Sequence, residues 1–529
     1  MSRAHRGCGI ARLAAALLSS LPLSAWPHAF GERYDLPAPL SYFVAGAAAA
    51  VALSFVVAVF VARRALPPSA AAGRVIALGA LLPALRQGCR AASLMLFALT
   101  VIAGLFGTRN PEMNLAPTMV WIIGWVGLSL VVACIGNIWP AIDPWRSLFD
   151  VKEALARRFG ATRGISLGWT YPQALGAWPA AILLLAFAWL EVVYLRASVP
   201  SNIAYLLLGW SALTVLGMMC FGREAWQRNA DVFAIYFSTL GRFAPIGSGP
   251  DTCSVVLRPM GRGLIAAGAV STAMVGFVIA MLSTVLFDGL LGGQAWWLAK
   301  QAFTRWTPNL VDDSGYWFGT LGLIAVWLLF FAAYLLTCLA TARLVRDRSV
   351  DAIARLFVLT LVPIAVAYNL AHNLANLLVQ GQLLIALISD PLGRGWDLFG
   401  TAAFYPDIGI IDARLTWYVA ISAIVAGHVI SIWLAHRVAL REFGASRQAV
   451  IASIPLTILM VAYTAISLSV IAEPLVQFRA ADAPISLNDK GSARNGTILS
   501  HRVYRALFVD TLFRANYFFC ACDGHAAVA

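Results

Sequence analysis

Charge is what this chain has least of. Only 12% of its 529 residues are Asp, Glu, Lys or Arg, whereas 60% are hydrophobic and the mean hydropathy is +0.78. A water-soluble chain of this length could not keep that balance in solution, so the composition excludes a soluble globular enzyme and implies a polytopic membrane protein. Cysteine is also sparse. The eight cysteines show no repeated pair spacing, which excludes a disulfide framework, and only Cys520 and Cys522 with His525 resemble a ligand cluster. The chain has no P-loop, GxSxG elbow, HExxH helix or EF-hand loop, so none of the familiar short catalytic signatures applies. A net charge of +13 suits nucleic-acid binding, but Lys and Arg concentrate in alternate loops. That is the positive-inside pattern of membrane topology, and the expected partner is the lipid bilayer, with no nucleic acid.

What the sequence does have is hydrophobic runs of spanning length. Arg3, Arg6 and Arg12, then an apolar core from Leu13 to Leu23, then small residues read as a signal peptide over 1–29, with cleavage after Ala25 or Ala29. Ten spans are predicted after it: Leu40–Ala62, Ala91–Gly107, Leu115–Ile138, Ala174–Leu195, Asn202–Phe221, Leu264–Phe287, Tyr316–Leu339, Leu361–Gln382, Leu415–Leu434 and Val450–Ile471. The fold class is thus an all-α membrane helix bundle over 30–476, followed by a poorly ordered tail over 477–529. The arginines place both mature termini on the outer side of the membrane. Two stretches between spans, Val75–Leu85 and the run DVFAIYFSTLGRF from Asp231 to Phe243, are expected to lie on the membrane surface.

The eighth span, LVPIAVAYNLAHNLANLLVQGQ, carries a polar stripe. Asn369, Asn373, Asn376 and Gln380 recur at spacings of four, three and four with His372 beside them, so all five fall on or near one helix face. In hydrocarbon each amide would carry an unmet hydrogen-bonding demand, so the stripe must face protein or water. Amides also serve as glue between membrane helices. An intramembrane histidine, however, is functional by default. Glu191, Asp288 and Asp390 fall at the same outer level, and His28 with Asp35 could fold over the opening. The candidate catalytic residues are therefore His372, Asp288 and Glu191, with Asn369, Asn373, Asn376 and Gln380 as substrate-binding groups. His372 with Asp390 is the candidate pair for a divalent metal. The alternative for the three carboxylates is that they mark polar helix ends. His428 and His436 read as a packed core histidine and an inner-interface residue.

Several blocks together resemble a known family: HAFGERYDLP before the first span, NPEMNLAPTMVWIIGWVGLSL in the third, IDPWRSL after it, AYNLAHNLANLLVQGQ in the eighth, SDPLGRGWDLFGTA in the following loop and GHVISIWLAHRVAL in the ninth. The chain is similar through them to the fenitrothion hydrolase-like multi-pass proteins of bacteria, from His28 to about Pro474. The resemblance implies a membrane-bound phosphotriesterase acting on a small organophosphate, with a second subunit as partner. It also implies a histidine where this chain has Asn369. A transporter or permease for a small solute or metal, or an accessory subunit without activity of its own, accounts for the same polar helices. Those readings remain beside the hydrolase.

Overall fold

The computed structural model describes residues 36–476 apart from 63–72, 161–163, 308–314, 347 and 445. The expected signal peptide with His28 and Asp35, the tail, and the Cys520, Cys522 and His525 cluster lie outside the described residues.

The architecture is a helix bundle carrying one small sheet. In chain order the elements are α1 (Leu40–Val61), β1 (Arg74–Ala77), α2 (Leu81–Phe106), α3 (Leu115–Cys134), α4 (Pro144–Arg158), α5 (Trp178–Val192), α6 (Pro200–Phe221), α7 (Arg223–Asn229) and α8 (Val232–Phe243). There follow β2 (Ile246–Ser248), β3 (Ser254–Leu257), α9 (Thr272–Leu291), α10 (Gln294–Trp306), α11 (Tyr316–Val345), α12 (Val350–Gln380), α13 (Leu383–Ser389), α14 (Ala413–Phe443) and α15 (Ser446–Val476). Among the described residues nine helices are long and apolar enough to cross a membrane: α1, α2, α3, α6, α9, α11, α12, α14 and α15. The expected fourth span is instead the 15-residue α5. At ~1.5 Å rise per residue it covers about 22 Å, short of a ~30 Å hydrocarbon core.

Side chains fix where several helices begin. Asp143, Asp231, Ser271, Ser349 and Asp412 each accept a backbone N–H in the first turn of α4, α8, α9, α12 and α14, supplying partners that helix starts otherwise lack. Inside α3 the backbone widens to a π-helix over Thr118–Gly127. Glycine permits this, since a Cβ on Gly124 would stand 2.8 Å from the Met119 carbonyl oxygen.

The core lies around α9 and α12. In each, 72% of the most apolar stretch is buried, against 17% for α1 and α11, which present Leu53, Phe60, Leu329 and Leu336 outward. Such apolar outer faces suit contact with lipid. α14 packs closely on α12, because a Cβ on Gly427 would come within 2.4 Å of Ala367 Cβ and 2.9 Å of the Pro363 carbonyl oxygen.

Val75–Leu85, expected at the membrane interface, is largely exposed: Arg74–Ala77 pairs antiparallel with β3, Val75 opposite Val256, in a three-stranded sheet of order β1-β3-β2. α2 then starts at Leu81, ten residues before the expected Ala91, and carries Arg86 and Arg90 on its first turns. The expectation for α8 is corrected. Val232, Ile235, Tyr236, Phe237, Leu240 and Phe243 are all buried, so this short helix is an internal element and not a surface one. The run has no Lys or Arg before Arg242, whereas a helix lying on anionic lipid gains from several.

Candidate functional site

The polar stripe of α12 follows a break in its own helix. Ser349 caps the start, a 3₁₀ turn spans Val358–Leu361, and Pro363 restarts the α-helix, which runs to Gln380. From there the five stripe residues behave differently. Asn369 and Gln380 are buried, while His372, Asn373 and Asn376 are half-buried. The Asn373 amide donates to Asn369 Oδ1 at 3.4 Å, a long bond within the stripe.

His372 meets Asp288. Nε2 lies 2.9 Å from Asp288 Oδ2, with 24% of the imidazole side chain and 35% of the carboxylate side chain accessible. When Nε2 carries the proton it donates to the carboxylate, and Nδ1 is left as an acceptor. Asp288 is not simply a polar helix end, since it stands three residues before the last residue of α9 and is engaged across the bundle.

Around this pair the fold closes a ring of polar groups from five helices. Glu191, one residue before the end of α5, feels the charge of Asp288 and lies beside the Trp125 indole of the π-helix. The Trp125 ring packs on Tyr236 of α8 at 4.6 Å between centroids. Tyr236 lines the same gap as Ser129 and Asn369, returning to the stripe. Tyr368, one turn before His372, stacks on the imidazole at 6.2 Å between centroids. The gap among Ser129, Tyr236, Ala365 and Asn369 has no room for a water molecule, so that side of the ring is sealed.

The structure therefore brings together His372, Asp288, Glu191, Asn369 and Asn373. It does not bring Asp390 to them. Gly381 and Gln382 keep helical torsions, so α13 continues α12. The 18 residues from His372 to Asp390 then span about 27 Å at ~1.5 Å each. Asp390 instead accepts the Arg394 and Gly395 N–H groups at 2.9 and 2.6 Å and holds the turn of the following loop. A metal shared by His372 and Asp390 is ruled out by that separation, because both ligands would have to approach one ion within ~2 Å. Among the described residues no group of three or more His, Cys, Asp or Glu could hold a metal ion.

Trp125, Tyr236 and Tyr368 are members that the sequence did not suggest. For Tyr236 the signal was the uncharged run on α8. For Trp125 there was none, because a π-helix has no sequence signature of its own.

Chemically the pair can take a proton from water: the imidazole accepts it and the carboxylate stabilises the cation that forms. Comparison with protein-family models, with curated proteins and with solved structures finds no match.

Proposed function

We propose that this chain is an inner-membrane hydrolase of small lipophilic esters, phosphotriesters being the class that the resemblance implies, with His372 and Asp288 as its general-base pair. The observation that carries the reading is the 2.9 Å contact between an imidazole and a carboxylate, both partly open, inside a bundle of membrane-length helices. A neutral phosphotriester partitions into lipid, and a general base contributes about 10²–10⁴ to a rate. In this mechanism Nδ1 of His372 removes a proton from water, and the nascent hydroxide attacks phosphorus and expels the phenolate. Asp288 holds the imidazolium, and His372 then returns the proton to solvent or leaving group. The half-buried Asn373 amide supplies an N–H group for the phosphoryl oxygen, and Trp125, Tyr236 and Asn369 back the sealed side of the site. A divalent metal held by a second subunit is compatible with this arrangement. The site faces the periplasm, as the arginine distribution implies.

A second reading rests on the interrupted helices. The π-helix in α3 and the short buried α8 border the polar ring, α12 is itself broken about 12 Å before Asn369 at ~1.5 Å per residue, and broken helices at membrane depth are the usual setting of transporter sites.

Release of nitrophenol from a nitrophenyl phosphotriester by purified protein tests the first reading. The wild type turns over, and His372→Ala loses at least about 100-fold. Equal rates, or no turnover by the wild type, remove the hydrolase, and solute uptake into proteoliposomes without turnover supports the transporter.

A further inference from the structure

Beyond the polar ring a second set of buried polar groups continues through the bundle. Tyr368 OH, Tyr463 OH, Ser467 Oγ, His428 Nε2 and Ser431 Oγ are all buried without a hydrogen-bond partner of ordinary geometry among the described residues. They are not scattered. Tyr368 stacks on His372, and it lies close enough to Tyr463 and Asp288 to sense both. Tyr463 packs on the His428 ring at 5.6 Å between centroids, and its hydroxyl faces Ser467 one turn further along α15. Ser431 follows His428 by three residues, on the same side of α14. The set thus joins α12, α15 and α14 in one line away from Asp288.

Glue does not explain these groups. Leaving a buried polar atom unpaired costs ~1–3 kcal/mol, so five together oppose stability. Other hydroxyls of the same bundle avoid that cost by bonding the carbonyl one turn back, Ser129 to Trp125 at 2.6 Å, Ser453 to Ala449 at 2.8 Å and Thr464 to Met460 at 2.8 Å. Ser431 and Ser467 make no such bond. His428 is oriented as well: its Nδ1 is committed to the Ile424 carbonyl at 2.8 Å, which leaves Nε2 as the acceptor of a ring that packs on Tyr463. Gly289 keeps the seam open at its upper end, since a Cβ there would stand 2.5 Å from the Tyr368 hydroxyl.

We infer that this line of groups conducts protons through the bundle between the His372–Asp288 pair and His428. A proton leaves Nδ1 of His372 for the Tyr368 hydroxyl over a bridging water, as Tyr368 passes its own proton on. Ser467, nearer the Gly289 end of α15, and then Tyr463 repeat the exchange, and Nε2 of His428, on whose ring Tyr463 packs, receives the last proton. Each hydroxyl gains one proton and gives one, so only the two imidazoles change charge. Two turns further along α14, His436 continues the direction, with Nε2 at 3.2 Å from the Ala62 carbonyl oxygen and Nδ1 free of a partner among the described residues. The inference rests on the proposed proton uptake by His372 and Asp288 but not on ester hydrolysis.

The test uses the full chain in proteoliposomes loaded with pyranine, a pH step across the membrane, and valinomycin with potassium to clamp the voltage. Wild-type vesicles equilibrate faster than protein-free ones. Tyr463→Phe, which removes one oxygen and keeps the ring, and His428→Asn each slow the flux at least about tenfold, the effect of losing one hydrogen-bonded link. Nitrophenol release by the same preparations stays within about twofold, as expected of sites that do not share partners. Wild-type flux no faster than that of protein-free vesicles, or Tyr463→Phe at the wild-type rate, overturns the path. Loss of hydrolysis with intact flux removes only the enzymatic reading.

Discussion

Gly427 of α14 lies so close to Ala367 of α12 that a methyl group on the glycine would come within 2.4 Å of the alanine Cβ. This contact sets the spacing of the two helices that carry His428 and His372. Gly427→Val is expected to lower the thermal stability of the detergent-purified protein by about 1–3 kcal/mol, the usual cost of overpacking. An unfolding temperature equal to the wild type's would mean that the helices are free to separate.

Two buried aspartates outside the spanning helices give the protein a pH-dependent stability. Asp143 is pushed up to about 7 by burial and then by the charge of Asp231, against the N–H groups of Arg146 and Trp145. Asp231 is pushed up to about 6 by burial, against the N–H groups of Ala234 and Phe233. Both exceed the 3.8 of a free aspartate, so the folded protein binds more protons than the unfolded chain between those values. Stability is then greatest at the acid end of that window and falls as pH rises through 6 and 7. Asp231→Asn keeps the acceptor for Ala234 N–H while removing the charge. It is expected to melt above the wild type at pH 8 and to match it near pH 5 in a thermal-shift titration. A gap that does not change with pH would contradict this assignment.

Besides Asp390, one hydroxyl gathers several bonds of the loop after α13. Ser389 is fully buried; its Oγ lies 2.7 Å from Thr401 Oγ1 and accepts the Phe399 and Thr401 N–H groups at 3.1 and 3.2 Å. Ser389→Ala leaves these donors unpaired, at a cost of ~1–3 kcal/mol. Faster limited proteolysis between 390 and 412 in intact vesicles checks it, and unchanged cleavage would show that the loop is held elsewhere.

Tyr236→Phe removes the hydroxyl of a residue that lines the same gap as Ser129 and Asn369 but keeps the ring on Trp125. A loss of about 1 kcal/mol, near fivefold in nitrophenol release, is expected from one neutral hydrogen bond. The unfolding temperature should move little, since the aromatic packing stays. A variant as active as the wild type would place Tyr236 outside the site.

The parts of the fold that were legible in the sequence are those set by hydrophobic length. α1, α6 and α11 follow from uninterrupted apolar runs, and the stripe from Asn369 to Gln380 is visible because its spacing repeats. α8 was not legible. Its apolar face reads equally well against lipid or against protein, and only the bundle decides between them. The pairing of Asp288 with His372 joins residues 84 positions apart, a contact that no local pattern reports. Asp390 was assigned to the site by depth alone, and depth does not distinguish a carboxylate facing a cavity from one holding a loop turn.

The central claim is that His372 and Asp288 act as one unit, and a double-mutant cycle on nitrophenol release tests it most directly. Residues that share one function are non-additive: Asp288→Asn in the His372→Ala background should cost nothing further, although alone it lowers the rate by at least about tenfold. Independent, multiplying losses in the double variant would show that the 2.9 Å contact is only structural, and the proposed site would fall with it.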